Sequence, residues 1–225
     1  MLYSEENVKA NIRNREGKRV FYLAASDSLT PSARDYLNRE RIAILPAQQA
    51  KIEEYCLENG AVFREKPENY THLRGNILVS KTHPVIAFRG AMDTLQAQLL
   101  LAQSVAPAWL QPLLGEILDL ARNVIRWDVL QEPAQIHRLC GLNDQQIREH
   151  SHFPQKYYGI PHFMPQHTDG AAMLQLNCAR CAARAAELAG VQAFEDTRQD
   201  LLQVLNRMSS MLYILMIQLK NHTKR

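Results

Sequence analysis

The sequence predicts an all-α protein, a helical bundle of about five helices that carries a small N-terminal α/β appendage. Three features predict it. From Pro84 onward, apolar residues recur at the 3.6-residue period of helices facing a core. Eight of the 19 residues from Ala171 to Ala189 are alanine, the strongest helix former. The first 75 residues lack that period and break into short apolar runs. The chain therefore divides into an appendage over 1–70 and a bundle domain over 71–225.

In the appendage, Lys18 to Ser26 reads as a strand leaving a charged turn. Thr30 followed by Pro31 starts a helix, with threonine at the N-cap and proline at the first helical position. Arg41 to Leu45 is a second strand ending at Pro46. Gln48 to Asn59 is expected to be a helix capped by Gly60, and the polar, proline-broken Glu65 to Tyr70 a linker.

The bundle begins with a helix over Val85 to Val105. Pro107 and Pro112 punctuate the entry to the next, Leu113 to Leu130, which stops at Pro133. Leu142, Asn143 and Asp144 cap a short helix through His150. Ser151 to His167 is rich in proline and histidine, has no period, and is expected to be a long loop. The alanine-rich helix follows, with Gly190 as its C-cap. A last helix is expected from about Glu195 to Gln218, its Met211 to Leu219 portion buried.

Apolar residues make up 46% of the 225 and charged ones 22%, a composition that supports a packed core. A net charge of +3 gives no ground for a nucleic-acid partner. No run approaches the roughly 20 apolar residues of a membrane span, and no secretory signal is visible. We therefore expect a cytoplasmic protein with no membrane partner. Cys56, Cys140, Cys178 and Cys181 are expected to be free thiols.

Three constellations can carry chemistry. In LNCARCAARAAEL, Arg180, Arg184 and Glu187 share one helix face by their spacings of four and three. One reading is a solvated face with an intrahelical ion pair. The other is an anion clamp, in which guanidinium forks grip a triphosphate and the carboxylate orients them or a metal. The small neighbours, mostly alanine and cysteine, favour the clamp. In SKTHPVIAFRGAMDTL, Lys81 and its flanking hydroxyls precede a helix N-terminus, a setting that suits phosphate. Asp93 lies inside that helix, with Arg126 as a candidate partner across the bundle. In LNRMSSMLYILM, Asn206 to Ser210 form a polar cluster on an apolar helix, either a surface stripe or a group in need of buried partners.

In order and spacing, these three segments resemble the cobalamin adenosyltransferase family. Leu29 to Arg34, Thr71 to Leu73, Glu132-Pro133 and Gly141 to Asn143 resemble its ethanolamine-utilisation branch. The resemblance implies transfer of the adenosyl group of ATP to cob(I)alamin, with ATP, Mg2+ and cobalamin as ligands. It implies that Lys81 contacts the triphosphate and that Arg180 and Arg184 hold the phosphates. Glu187 would sit beside ATP or its magnesium, and Asn206 would contact the nucleotide. Arg180, Arg184 and Glu187 carry the catalytic role, supported by Asp93 and Arg126. It further implies a homotrimer with ATP near the subunit interface. Aromatic residues would displace the lower cobalt ligand, with Trp127, Phe153, Tyr157, Tyr158 and Phe163 as candidates.

The sequence departs from the family in several places. The cysteine-rich metal motif of the ethanolamine branch should fall between about Gln48 and Tyr70, where only Cys56 lies, so no metal site is assigned. Cys178 and Cys181 share a helix face, and with His162 or His167 they form a weaker metal candidate set against plain packing. Thr94 and Asn177 replace the family's glutamate and histidine. An alternative is therefore a member that binds ATP or corrinoid without turnover, docked to a bacterial microcompartment through residues 29–45. A bare helical bundle without a ligand is the third reading. ATP binding separates the third from the others, and turnover separates the first two.

Overall fold

The computed structural model describes residues 1–15, 17–50 and 55–223. Its contacts divide the chain into two units. The first is Met1–His83 with Val129–Gln131, and the second is Pro84–Asp128 with Glu132 onward.

The first unit holds β1 (Leu2–Tyr3), α1 (Glu5–Asn11), β2 (Arg13–Arg15), β3 (Lys18–Leu23), β4 (Ser28–Leu29), α2 (Pro31–Arg39) and β5 (Ala43–Pro46). It continues with β6 (Tyr55–Leu57), β7 (Val62–Phe63), β8 (Tyr70–Arg74) and β9 (Ile77–Ser80). The strand–helix–strand reading corresponds to β3–α2–β5. The two strands pair in parallel, Val20 opposite Ala43, an arrangement that needs a crossover such as α2. α2 starts as expected: Pro31 opens it, and the Thr30 hydroxyl accepts from the Ala33 amide at 3.2 Å. Val8, Phe21, Ala33 and Leu37 form its core, each at most 1% exposed.

The helix expected over Gln48 to Asn59 is not found. Residues 51–54 lie outside the described residues. Ala47–Gln49 is a single 3-10 turn, and Tyr55–Leu57 is a strand. β6 pairs antiparallel with β7 and parallel with β9, and β9 pairs with β8. Gly60 belongs to the β6–β7 turn at φ +86, a left-handed conformation that glycine adopts without strain. Residue 70 opens β8, so the four-stranded sheet runs across the sequence boundary placed there.

The second unit holds α3 (Pro84–Val105), α4 (Gln111–Leu130), α5 (Asp144–His152), α6 (Pro154–Tyr158), α7 (Ala171–Phe194) and α8 (Gln199–Thr223). The described residues thus form a mostly helical protein with eight α-helices and three small sheets, where about five helices and an all-α class were expected. Beyond the five long or capped helices of the bundle and the expected α2, the additional helices are α1 and α6, which Pro154 opens inside the expected loop. Asn143 caps α5 through a capping box with Gln146.

The alanines of α7 explain its place between α3 and α8. Ala179, Ala183 and Ala186 are fully buried, and Gly190 continues their stripe. The neighbouring helices bury large side chains, among them Phe88 and Met92 of α3 and Leu205 and Met208 of α8, all 0% exposed. Gly190 was expected as a C-cap but lies inside the helix, which ends at Phe194. A Cβ built there would stand 3.1 Å from Leu202 Cδ2 and 3.3 Å from Leu205 Cδ1, so glycine permits the close approach. Gly190→Val is expected to destabilise the protein by about 1–3 kcal/mol through overpacking. A denaturant titration that leaves the midpoint unchanged would refute this account of Gly190. No helix among the described residues is long and apolar enough to cross a membrane.

Candidate functional site

The site is built from the facing surfaces of α7 and α8 in the second unit. A cleft of about 380 Å³ opens there, with Arg180 and Arg184 on the α7 wall and Ser209, Ser210 and Tyr213 on the α8 wall. The segment His162–Pro165 closes one side. The helical period explains the first two groups. Arg180 and Arg184 lie one turn apart, as do Asn206 and Ser210 followed by Tyr213.

Arg180 is half-buried and held in place. Its Nε and one terminal nitrogen donate to Asn177 Oδ1 at 3.3 and 3.1 Å. Its guanidinium lies 6.0 Å from the centre of the Tyr213 ring. Asn177 thus serves as an acceptor for this arginine. Arg184 is exposed at the cleft.

Beyond the arginines, Asn206 Nδ2 donates to Glu187 Oε1 at 2.9 Å. Arg207 donates to Asn206 Oδ1 at 2.7 Å, which fixes the orientation of that amide. Arg207 is in turn gripped by Asp144, the first-turn residue of α5, with Nε 2.7 Å from Oδ1. Ser209 is 7% exposed and donates to the Asn206 carbonyl at 3.0 Å. The polar cluster on α8 is therefore mixed. Asn206 faces solvent, Ser209 is buried and satisfied, and Arg207 anchors α5.

Burial opposes ionisation of Asp144, but hydrogen bonds from Arg207 and Gln203 outweigh it and hold its carboxyl below the ordinary range. The folded value is depressed, so the stabilisation is present above the unfolded value of about 3.9. It is lost as pH falls through the folded value. The Asp144 side chain is 39% exposed, so screening keeps the contribution small. Asp144→Asn is expected to melt lower than wild type near pH 7 and to converge with it in acid. Parallel melts from neutral to acid pH that keep a constant gap would exclude this linkage.

The other expected residues belong to other elements. Lys81 belongs to the first unit, where Nζ pairs with Glu68 Oε1 at 2.8 Å. That hydrogen bond and the Lys81 charge hold the Glu68 carboxyl below its usual range. Asp93 is exposed on α3, and Arg126 pairs with Glu132 at 3.3 Å in place of the expected Asp93. The ion pair that does cross from α3 to α4 is Arg89 with Asp128. It has two contacts of 2.8 Å, and the Asp128 side chain is 4% exposed. Sequence reasoning missed this pair because Arg89 is hidden in the same motif as Asp93.

Of the five aromatic candidates, Phe163 lines the cleft. Phe153 is 59% exposed, Tyr157 donates to Glu149, Tyr158 bonds His150, and the Trp127 carbonyl accepts from Arg198. Tyr213 was not singled out, although its place seven residues after Asn206 on one helix face was a usable signal. Cys178 and Cys181 are exposed on α7, whereas Cys56 is buried in β6 with Sγ 3.6 Å from the Asn14 carbonyl.

The family model for cobalamin adenosyltransferases matches residues 61–219, and the chain belongs to that family. Within it the likeness is to the EutT type. The chain is 30% identical to the corrinoid adenosyltransferase EutT of Salmonella typhimurium, over 95% of this chain and 90% of that protein. It matches EutT of Escherichia coli K12 to the same extent. Its fold is similar to a variant PduO-type ATP:corrinoid adenosyltransferase from Lactobacillus reuteri complexed with cobalamin and ATP. There the TM-score is 0.52 and the identity 21%, over 70% of this chain and 91% of that one. A second variant of that enzyme, complexed with ATP, gives a TM-score of 0.51 at 20% identity over the same shares.

Proposed function

We propose that the chain is an ATP:corrinoid adenosyltransferase that moves the 5′-deoxyadenosyl group of ATP to cob(I)alamin. The observation that carries this reading is one cleft with Arg180 and Arg184 on its wall and the Glu187–Asn206 hydrogen bond just beyond, on the same two helices. Membership of the family and the EutT relatives support it.

The reaction needs no protein nucleophile and no proton. Cobalt supplies the electron pair of the new bond to C5′, the C5′–O bond breaks, and its pair leaves on triphosphate. The protein orients ATP, stabilises the leaving charge and excludes water. Arg180 and Arg184 offer guanidinium forks to the phosphate oxygens. Asn206 donates to one oxygen of Glu187, and this carboxylate would hold Mg2+, an ion bound by one or two carboxylates together with phosphates. When bound, that ion would neutralise part of the triphosphate charge. Lys81 makes an exposed ion pair with Glu68, a weak contact that a triphosphate can displace.

The outer face of α7 leaves Leu188 67% exposed beside Cys181, and Leu174 36% exposed beside Cys178. This apolar face supports a homotrimer, which light scattering tests. The departures at Thr94 and Asn177 favour a second reading, an ATP or corrinoid binder without turnover that is docked to a microcompartment through residues 29–45. The deciding experiment is anaerobic formation of adenosylcobalamin from ATP and chemically reduced cob(I)alamin, followed by absorbance. Turnover that Lys81→Ala weakens supports the enzyme. ATP binding without product supports the second reading, and neither binding nor product rejects both.

A further inference from the structure

Tyr213 joins two parts of the cleft. Its ring faces the Arg180 guanidinium at 6.0 Å. Its hydroxyl is the hub of the segment that closes the cleft. His162 Nδ1 lies 3.0 Å from that hydroxyl, and the Phe163 amide donates to it at 3.4 Å. The other nitrogen of His162, Nε2, lies 3.2 Å from the His152 carbonyl at the end of α5. A carbonyl only accepts, so neutral His162 carries its proton on Nε2 and Nδ1 accepts from Tyr213. The two rings lie nearly parallel, at 9°. The order is complete: Phe163 amide to tyrosine oxygen, tyrosine hydroxyl to histidine, histidine to carbonyl.

We infer that Tyr213 is a positioning residue that sets two substrates by two different groups. Its ring holds the Arg180 arm for the triphosphate, and its hydroxyl holds residues 162–165 as the wall against the apolar face of the corrin ring. The inference rests on the proposed adenosyltransferase reading for the identity of the two substrates. The segment is suited to an apolar neighbour: Met164 is 73% exposed and stands between Phe163 and Pro165.

The test separates the two groups. Tyr213→Phe keeps the ring and removes the hydroxyl. It is expected to raise the KM for cob(I)alamin about tenfold, the worth of roughly one hydrogen bond, with the KM for ATP within about twofold of wild type. The nitrogen-15 spectrum of His162 should change from the Nε2-protonated form to a mixture of tautomers. Tyr213→Leu removes both groups and should weaken ATP as well. Equal shifts for ATP and corrinoid in Tyr213→Phe, or none for corrinoid, would overturn the inference. If wild type makes no product, the enzyme reading fails. The role of Tyr213 is then decided by titrating both variants with ATP and with cob(II)alamin, where the same split is required.

Discussion

Arg180→Ala is expected to lower the rate of adenosylcobalamin formation about 10²–10³-fold, the usual cost of removing one preorganised donor from a developing negative charge. The charge on the leaving triphosphate is greater in the transition state than in bound ATP, so kcat should fall more than ATP affinity. A smaller loss is expected for Arg184→Ala. Arg180 is half-buried and fixed by Asn177 and Tyr213, whereas Arg184 is exposed and pays the ordering cost of a long side chain. Arg180→Lys keeps the charge but loses the planar fork and should recover only part of the rate. Single-turnover kinetics on cob(I)alamin with saturating ATP checks this. An Arg180→Ala protein with wild-type rate would remove the clamp from the mechanism.

Asp128→Ala is expected to have the largest effect on stability, about 3–5 kcal/mol. It takes from Arg89 a carboxylate held by two contacts of 2.8 Å, in a place where Asp128 itself is 4% exposed. The guanidinium is 19% exposed and cannot be fully rehydrated without moving α3 from α4. At about 2–4 °C per kcal/mol for a chain of this size, the melting point should fall by roughly 6–20 °C. Replacing both partners with apolar residues of similar shape should recover much of the loss. A double variant no more stable than Asp128→Ala would show that the ion pair is not what the single change disrupts.

The sequence was legible where local chemistry decides structure. Thr30-Pro31, Asn143 with Asp144, and the alanines of α7 each announced a helix, and each formed one. The arginines and Glu187 of α7 could be grouped because helical spacing alone put them on one face. Legibility failed where distant partners decide. Tyr55 to Leu57 became a strand because Ile77, Leu78, Val62 and Phe63 pair with it, and nothing local to residues 48–59 encodes them. Gly190 looked like a helix end, but its cause is the bulk of Leu202 and Leu205 on another helix. The Asp93–Arg126 pairing failed for the same reason: four residues along α3 decide which charge faces α4, and Arg89 holds that position.

The buried alanines and the arginines of α7 are adjacent positions on one rigid rod. Ala179 and Ala183 fix how near that rod lies to its neighbours, and Arg180 and Arg184 inherit their reach from it. Interhelical distance is therefore a setting of the proposed site. A displacement of about 1 Å, harmless to a melting curve, is enough to cost a rate of order 10² when reacting atoms must be aligned. Variants of this stripe selected for heat resistance alone would accumulate well-folded proteins whose Arg180 and Arg184 no longer reach the proposed phosphate site.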